Sequence, residues 1–153
     1  MFLSDEEKTI SESFVSAGYI IRPAADPLAT QAMQDILVAL SSAELNAKVQ
    51  DDPAAKAHWL NNIHEHVSVS ELNDFRLKMI AGINARQDFR QLYFRAAKSY
   101  LETIVGNELA MQLQVNLSIQ MPNDDSSLLP VHADTWSGDS PFEVVTWIPL
   151  VDC

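Results

Sequence analysis

The spacing of apolar residues changes once along this chain, and that change constrains the fold more than any other feature. Up to Ile104 the apolar positions recur at helical intervals. After Glu108 they alternate, with Leu113, Val115, Leu117, Ile119 and Met121 separated by Gln114, Asn116, Ser118 and Gln120. Residues 1–107 therefore read as mainly helical and residues 108–153 as strands. This segregation predicts an α+β fold built as a single domain, which suits a length of 153 residues and 47% hydrophobic content.

Local signals subdivide the helical part. Ser4-Asp5-Glu6-Glu7 has capping-box spacing, and Gly18 is placed to end the first helix. Tyr19, Ile20 and Ile21 read as a brief strand closed by Arg22-Pro23. Asp26-Pro27 opens a second helix whose apolar face carries Leu28, Ala32, Met33, Ile36, Leu37 and Leu40. Asp52-Pro53 opens a third, running to about Ile63. Ser70 is the expected cap of a fourth, striped by Leu72, Phe75, Met79, Ile80 and Ile83. A fifth runs from Phe89 through Leu92, Tyr93, Ala96, Tyr100 and Leu101 to Ile104, with Gly106 as its stop.

Beyond the alternating segment, a loop from Pro122 to Pro130 leads to Val131-His132-Ala133-Asp134, and Phe142 to Leu150 again reads as strand. Two or three strands cannot close a barrel. The last would present an open edge, able to pair with further strands, a partner or a second copy in a homo-oligomer.

Composition narrows the function. Ten Lys and Arg against 21 Asp and Glu give a net charge of -11, which argues against nucleic acid and anionic membrane as partners and leaves a small molecule as the expected substrate. The start of the chain lacks the basic region of a secretory signal, and no apolar run reaches the length of a membrane span, so a cytoplasmic location is expected. The single Cys excludes a thiolate cluster within the chain. Any metal site must draw on His and carboxylates.

His132 and Asp134 are two residues apart, and side chains at i and i+2 of a strand share a face. Imidazole plus carboxylate suits a borderline divalent ion, and two His with one carboxylate is the facial arrangement of non-haem iron oxygenases. With four His in an acidic chain the spacing alone is weak, and a hydrogen-bonded His beside a solvated Asp is the bland reading. His64-Glu65-His66 and His58 read as solvated groups around a helix end, with metal or substrate contact as the alternative. Asn116, Ser118, Gln120 and Thr146 offer polar atoms to a co-substrate or to water. Trp136 and Trp147 are either core or cavity lining, and Asp124-Asp125-Ser126-Ser127 is either a solvated loop or a lid.

The context around the pair is more specific. Leu129-Pro130-Val131-His132-Ala133-Asp134-Thr135-Trp136, a short gap, then Val144-Val145-Thr146-Trp147-Ile148-Pro149-Leu150-Val151-Asp152 resembles the phytanoyl-CoA dioxygenase-like superfamily of iron(II)- and 2-oxoglutarate-dependent oxygenases. Phe14 to Ile21 is similar to the helix, glycine and first strand that open that fold. The run from His132 to Glu143 is most similar to oxygenases found sporadically in bacterial surface-carbohydrate gene clusters. The resemblance implies an incomplete double-stranded β-helix of the jelly-roll or cupin kind, with His132 and Asp134 as iron ligands and 2-oxoglutarate as co-substrate near Gln120, Asn116 and Thr146. It also implies a second His and a basic residue that this sequence does not contain in the family's positions, so the chain alone is expected to be inactive. Two other readings stand beside it. One is a non-catalytic family member that binds through its strand edge, and the other is a small metalloprotein that recruits His58, His64 or His66.

Overall fold

In the computed structural model, residues 3–125, 130–140 and 142–152 are described. Five α-helices account for most of the regular structure: α1 Asp5–Ala17, α2 Pro27–Glu44, α3 Pro53–Asn61, α4 Leu72–Asn84 and α5 Gln87–Ile104, with 3-10 turns at Ile63–Glu65 and Asp134–Ser137.

The helix boundaries follow local chemistry. Ser4 accepts from the Glu7 N–H at 3.2 Å while the Glu7 carboxylate accepts from the Ser4 N–H at 2.6 Å, which completes a capping box. Gly18 ends α1 at φ 79, a left-handed conformation that a Cβ disfavours. Asp26 and Asp52 each cap a helix that has Pro at its start, accepting from the N–H of Ala29 and of Ala55. Ser70 does not cap α4. Glu71 occupies that position without a side-chain bond to the helix, and its carboxylate instead accepts from the Ser68 hydroxyl at 2.5 Å.

α2 is the central helix, packed by α3, α4 and α5, while α1 lies along α5. Met33 and Ile83 are the largest fully buried side chains. They join Ala29, Leu37, Phe89 and Ala96 in one cluster, and Leu72, Phe75, Met79 and Val67 form a second. Leu28, expected on the buried face of α2, is 77% exposed, and Ala29 takes the inward position. The one buried polar side chain among the described residues is Ser41. Its hydroxyl accepts from the Trp59 indole at 2.7 Å and donates to the Leu37 carbonyl at 2.7 Å, tying α3 to α2 with its donor and acceptor both engaged. Gly82 permits α4 to approach α2, since a Cβ there would lie 3.0 Å from two carbons of Leu40.

The α+β expectation is overturned, and with it the double-stranded β-helix. Among the described residues there is no strand or bridge, and regular structure is entirely helical. From Val115 on, the alternation is nevertheless expressed in burial, whereas Leu113, expected on the same face, is 83% exposed. Val115 and Met121 are buried and Leu117 and Ile119 half-buried, whereas Gln114, Asn116, Ser118 and Gln120 are exposed. Residues 142–152 behave alike, with Val144, Thr146, Ile148 and Leu150 turned partly inward and Val145, Trp147 and Pro149 outward.

Each segment is thus an irregular strip laid on the helices, with bends at Leu113–Gln114 and Leu150–Val151. Its backbone is held by helix side chains in place of a neighbouring strand. Asn84 donates to the Val115 carbonyl at 2.9 Å and accepts from its N–H at 2.8 Å. The Arg90 guanidinium donates to the carbonyls of Met111 and Gln112. On the second strip, the Tyr93 hydroxyl donates to the Thr146 carbonyl, Gln34 to the Leu150 carbonyl at 3.0 Å, and Asn61 accepts from the Asp152 N–H at 2.9 Å. A strip without a strand beside it cannot form a ladder, which is why the pattern survives and the sheet does not. The same reason removes the expected strand at Tyr19–Ile21, where Tyr19 and Ile21 are 64% and 80% exposed. Among the described residues, no helix is long and apolar enough to cross a membrane.

Candidate metal centre

His132 lies in the irregular stretch after Pro130, and Asp134 begins the 3-10 turn Asp134–Ser137. Ala133 between them is extended at φ -126 and ψ 133, so the two flanking side chains emerge on one side although no strand is present. The turn is fixed by the Trp136 N–H, which donates to the Ala133 carbonyl at 2.9 Å, and it ends at left-handed Gly138.

His132 Nε2 lies 3.5 Å from Asp134 Oδ1. Two ligands at about 2.1 Å from one ion, in adjacent octahedral positions, stand about 3.0 Å apart. At 3.5 Å the pair is close to that separation, though wider than it. The opposite ring nitrogen, Nδ1, lies 2.8 Å from the Pro130 carbonyl oxygen. A carbonyl can only accept, so the neutral ring carries its proton on Nδ1 and leaves the Nε2 lone pair free. Metal-binding imidazoles are commonly oriented in this way.

The pair is open to solvent, with side-chain exposures of 47% and 49%. Among the described residues no group of three or more His, Cys, Asp and Glu side chains is placed to hold a metal. Two of the upstream histidines are engaged locally. His66 stacks on Trp59 with ring centroids 4.5 Å apart, and His58 Nδ1 is 3.0 Å from the Asn62 amide nitrogen.

Asn116 and Gln120 face solvent on the first strip, Thr146 is half-buried on the second, and no hydrogen bond joins any of them to His132 or Asp134. Trp136 and Trp147 are 76% and 77% exposed, so neither belongs to the core. Asp124 and Asp125 follow a turn at Asn123, whereas Ser126 and Ser127 of the expected loop or lid, and Leu129, Pro141 and Cys153, lie outside the described residues.

The residues that sequence reasoning missed are the holders of the strips: Asn84, Arg90, Tyr93, Gln34 and Asn61. Arg90 and Tyr93 lie three apart on α5 and so share one face, which was the available signal. Burial pushes the Tyr93 phenol above its ordinary value, against the opposing effect of its bond to Thr146, so it stays a protonated donor at neutral pH. Comparison with known proteins returned no matching family model, curated protein or solved structure.

Proposed function

We propose that this chain carries part of the iron(II) site of a 2-oxoglutarate-dependent oxygenase acting on a small molecule in the cytoplasm. The observation supporting it is the His132–Asp134 pair, with its acceptor atoms 3.5 Å apart and its imidazole oriented by the Pro130 carbonyl. The donor set fits the group in kind, one neutral nitrogen and one carboxylate oxygen, and supplies two of three protein ligands. Iron(II) bound there would activate oxygen for oxidation of substrate, coupled to decarboxylation of 2-oxoglutarate.

The chain's own residues perform the holding. Asp134 brings the negative charge that offsets the cation, and His132 in its neutral form presents Nε2. The Pro130 carbonyl keeps the ring from turning. A third ligand and a cation for the far carboxylate of 2-oxoglutarate must come from groups outside this pair. The net charge of -11 favours a neutral or cationic substrate.

Anaerobic titration of residues 1–153 with iron(II) tests this directly. The expected result is one weakly bound ion, with affinity reduced at least about tenfold by either His132→Ala or Asp134→Asn. Without a third ligand, adding 2-oxoglutarate is expected to give no charge-transfer band, and admitting oxygen no succinate. Iron binding that survives both substitutions removes the site from His132 and Asp134. A strong band with succinate release places the third ligand elsewhere in the chain, with His58, His64 and His66 as first candidates.

A further inference from the structure

The second strip is apolar on both faces. From Val144 to Val151 its only polar side chain is Thr146. The inward residues Ile148 and Leu150 pack on the helical core, while outward Val145 and Trp147 remain 58% and 77% exposed. Near-continuous apolar runs of this kind belong to strands covered on both sides.

Within the strip, Val145 and Trp147 also have unpaired backbone groups. The carbonyls of Thr146 and Leu150 are taken by Tyr93 and Gln34, which directs the backbone groups of the intervening odd-numbered residues to the opposite edge. Among the described residues, the backbone N–H and C=O of Val145 and Trp147 make no hydrogen bond. Pro149, without an N–H, limits a ladder on that edge to the portion before it.

Charge selects the occupant. Lys98 is the last Lys or Arg, and residues 99–153 hold eight Asp and Glu. A second copy would bring the same net charge of -11 against itself, whereas a cationic segment would be attracted. We propose that Val145 and Trp147 form the docking site for an extended, basic polypeptide segment, which adds as a strand to the free edge and lays apolar side chains over the Trp147 ring. Main-chain bonds to Val145 and Trp147 would give affinity, and a guanidinium or ammonium over the indole would add a cation–π contact. The inference concerns this strip and does not depend on metal at His132.

The test uses residues 1–153 with Trp136→Phe, which leaves Trp147 as the one exposed indole, and a peptide alternating arginine with valine. Trp147 emission is expected to shift to the blue on binding, with affinity falling at least about tenfold between 50 and 500 mM salt. A peptide alternating glutamate with valine is expected not to bind. Val145→Pro, which removes an edge donor, should weaken binding at least about tenfold. Trp147→Ser, followed by calorimetry, should weaken it as much. Circular dichroism checks that each variant keeps its helices. No binding of the basic peptide, equal binding of the acidic one, or full affinity in both variants overturns the proposal. Concentration-dependent dimerisation that Val145→Pro abolishes also overturns it, because the occupant is then a second copy.

Discussion

The two strips that lie on the helices differ in what they show to solvent. Residues 115–121 bury Val115 and Met121 and turn Asn116, Ser118 and Gln120 outward, so their outer face is already suited to water. Residues 142–152 bury less and turn Val145 and Trp147 outward. From Val115 to Met121 the first is finished by the helices alone, although Leu113 before it is 83% exposed. The second has apolar surface that folding of the described residues leaves uncovered, and the difference separates a stabilising role from a recognition role within one repeated pattern.

The largest expected effect comes from Val115→Asp, which places an unpaired carboxylate at a position 5% exposed. It should cost roughly 3 kcal/mol or more in urea unfolding. Trp147→Ser on the outer face of the other strip should change stability by less than about 0.5 kcal/mol. Comparable losses at the two positions would break the distinction. Next is Asn84→Ala, which strips the partner from the Val115 N–H and C=O and is expected to cost about 2 kcal/mol, with faster amide exchange at Val115. Ile148→Ala tests the inner face of the second strip, half-buried on the core, and should cost about 1.5 kcal/mol. A larger loss there than at Asn84 would mean that the second strip is the better anchored of the two.

The smallest effect tests the helical layer beneath both strips. The Arg95 guanidinium, together with the Ala29 N–H, holds the Asp26 carboxyl below its ordinary value of 3.8. A carboxyl whose value is depressed on folding adds stability that is complete above the unfolded value and lost as pH falls through the folded one. Asp26→Asn keeps the cap but loses the ion pair, so its Tm should lie about 2 °C below wild type at pH 7, with the gap closing below pH 3.8.

The helices were legible because their signals are local. Ser4 with Glu7, Asp26 with Pro27, and Asp52 with Pro53 each specify a boundary within four residues, and all three boundaries form as expected. The sheet was misread because alternation reports which side of a segment is buried, and a helical layer can bury one side as well as a sheet can. What completes the backbone is a long-range matter. Tyr93 and Thr146 are 53 residues apart and Gln34 and Leu150 are 116 apart, separations that no local pattern records. At the candidate metal centre, the His-x-Asp spacing was visible, whereas the orienting contact from His132 to the Pro130 carbonyl depends on a loop conformation with no residue signature.

The Asn84 amide has a further consequence for the order in which this chain assembles. Asn84 closes α4, and it meets Val115 across only 31 residues, most of which are α5. A hairpin strand finds its alignment by pairing with another strand, so neither is placed before the other. Here the alignment of residues 111–121 is set by a rigid helix end, and a slip of one residue would swap Val115 for Gln114 or Asn116 at the core. Loop closure of that length is entropically inexpensive, so this strip can seat as soon as α4 and α5 have formed. The helices then act as a ruler, fixing residues 111–121 before any neighbouring strand is required.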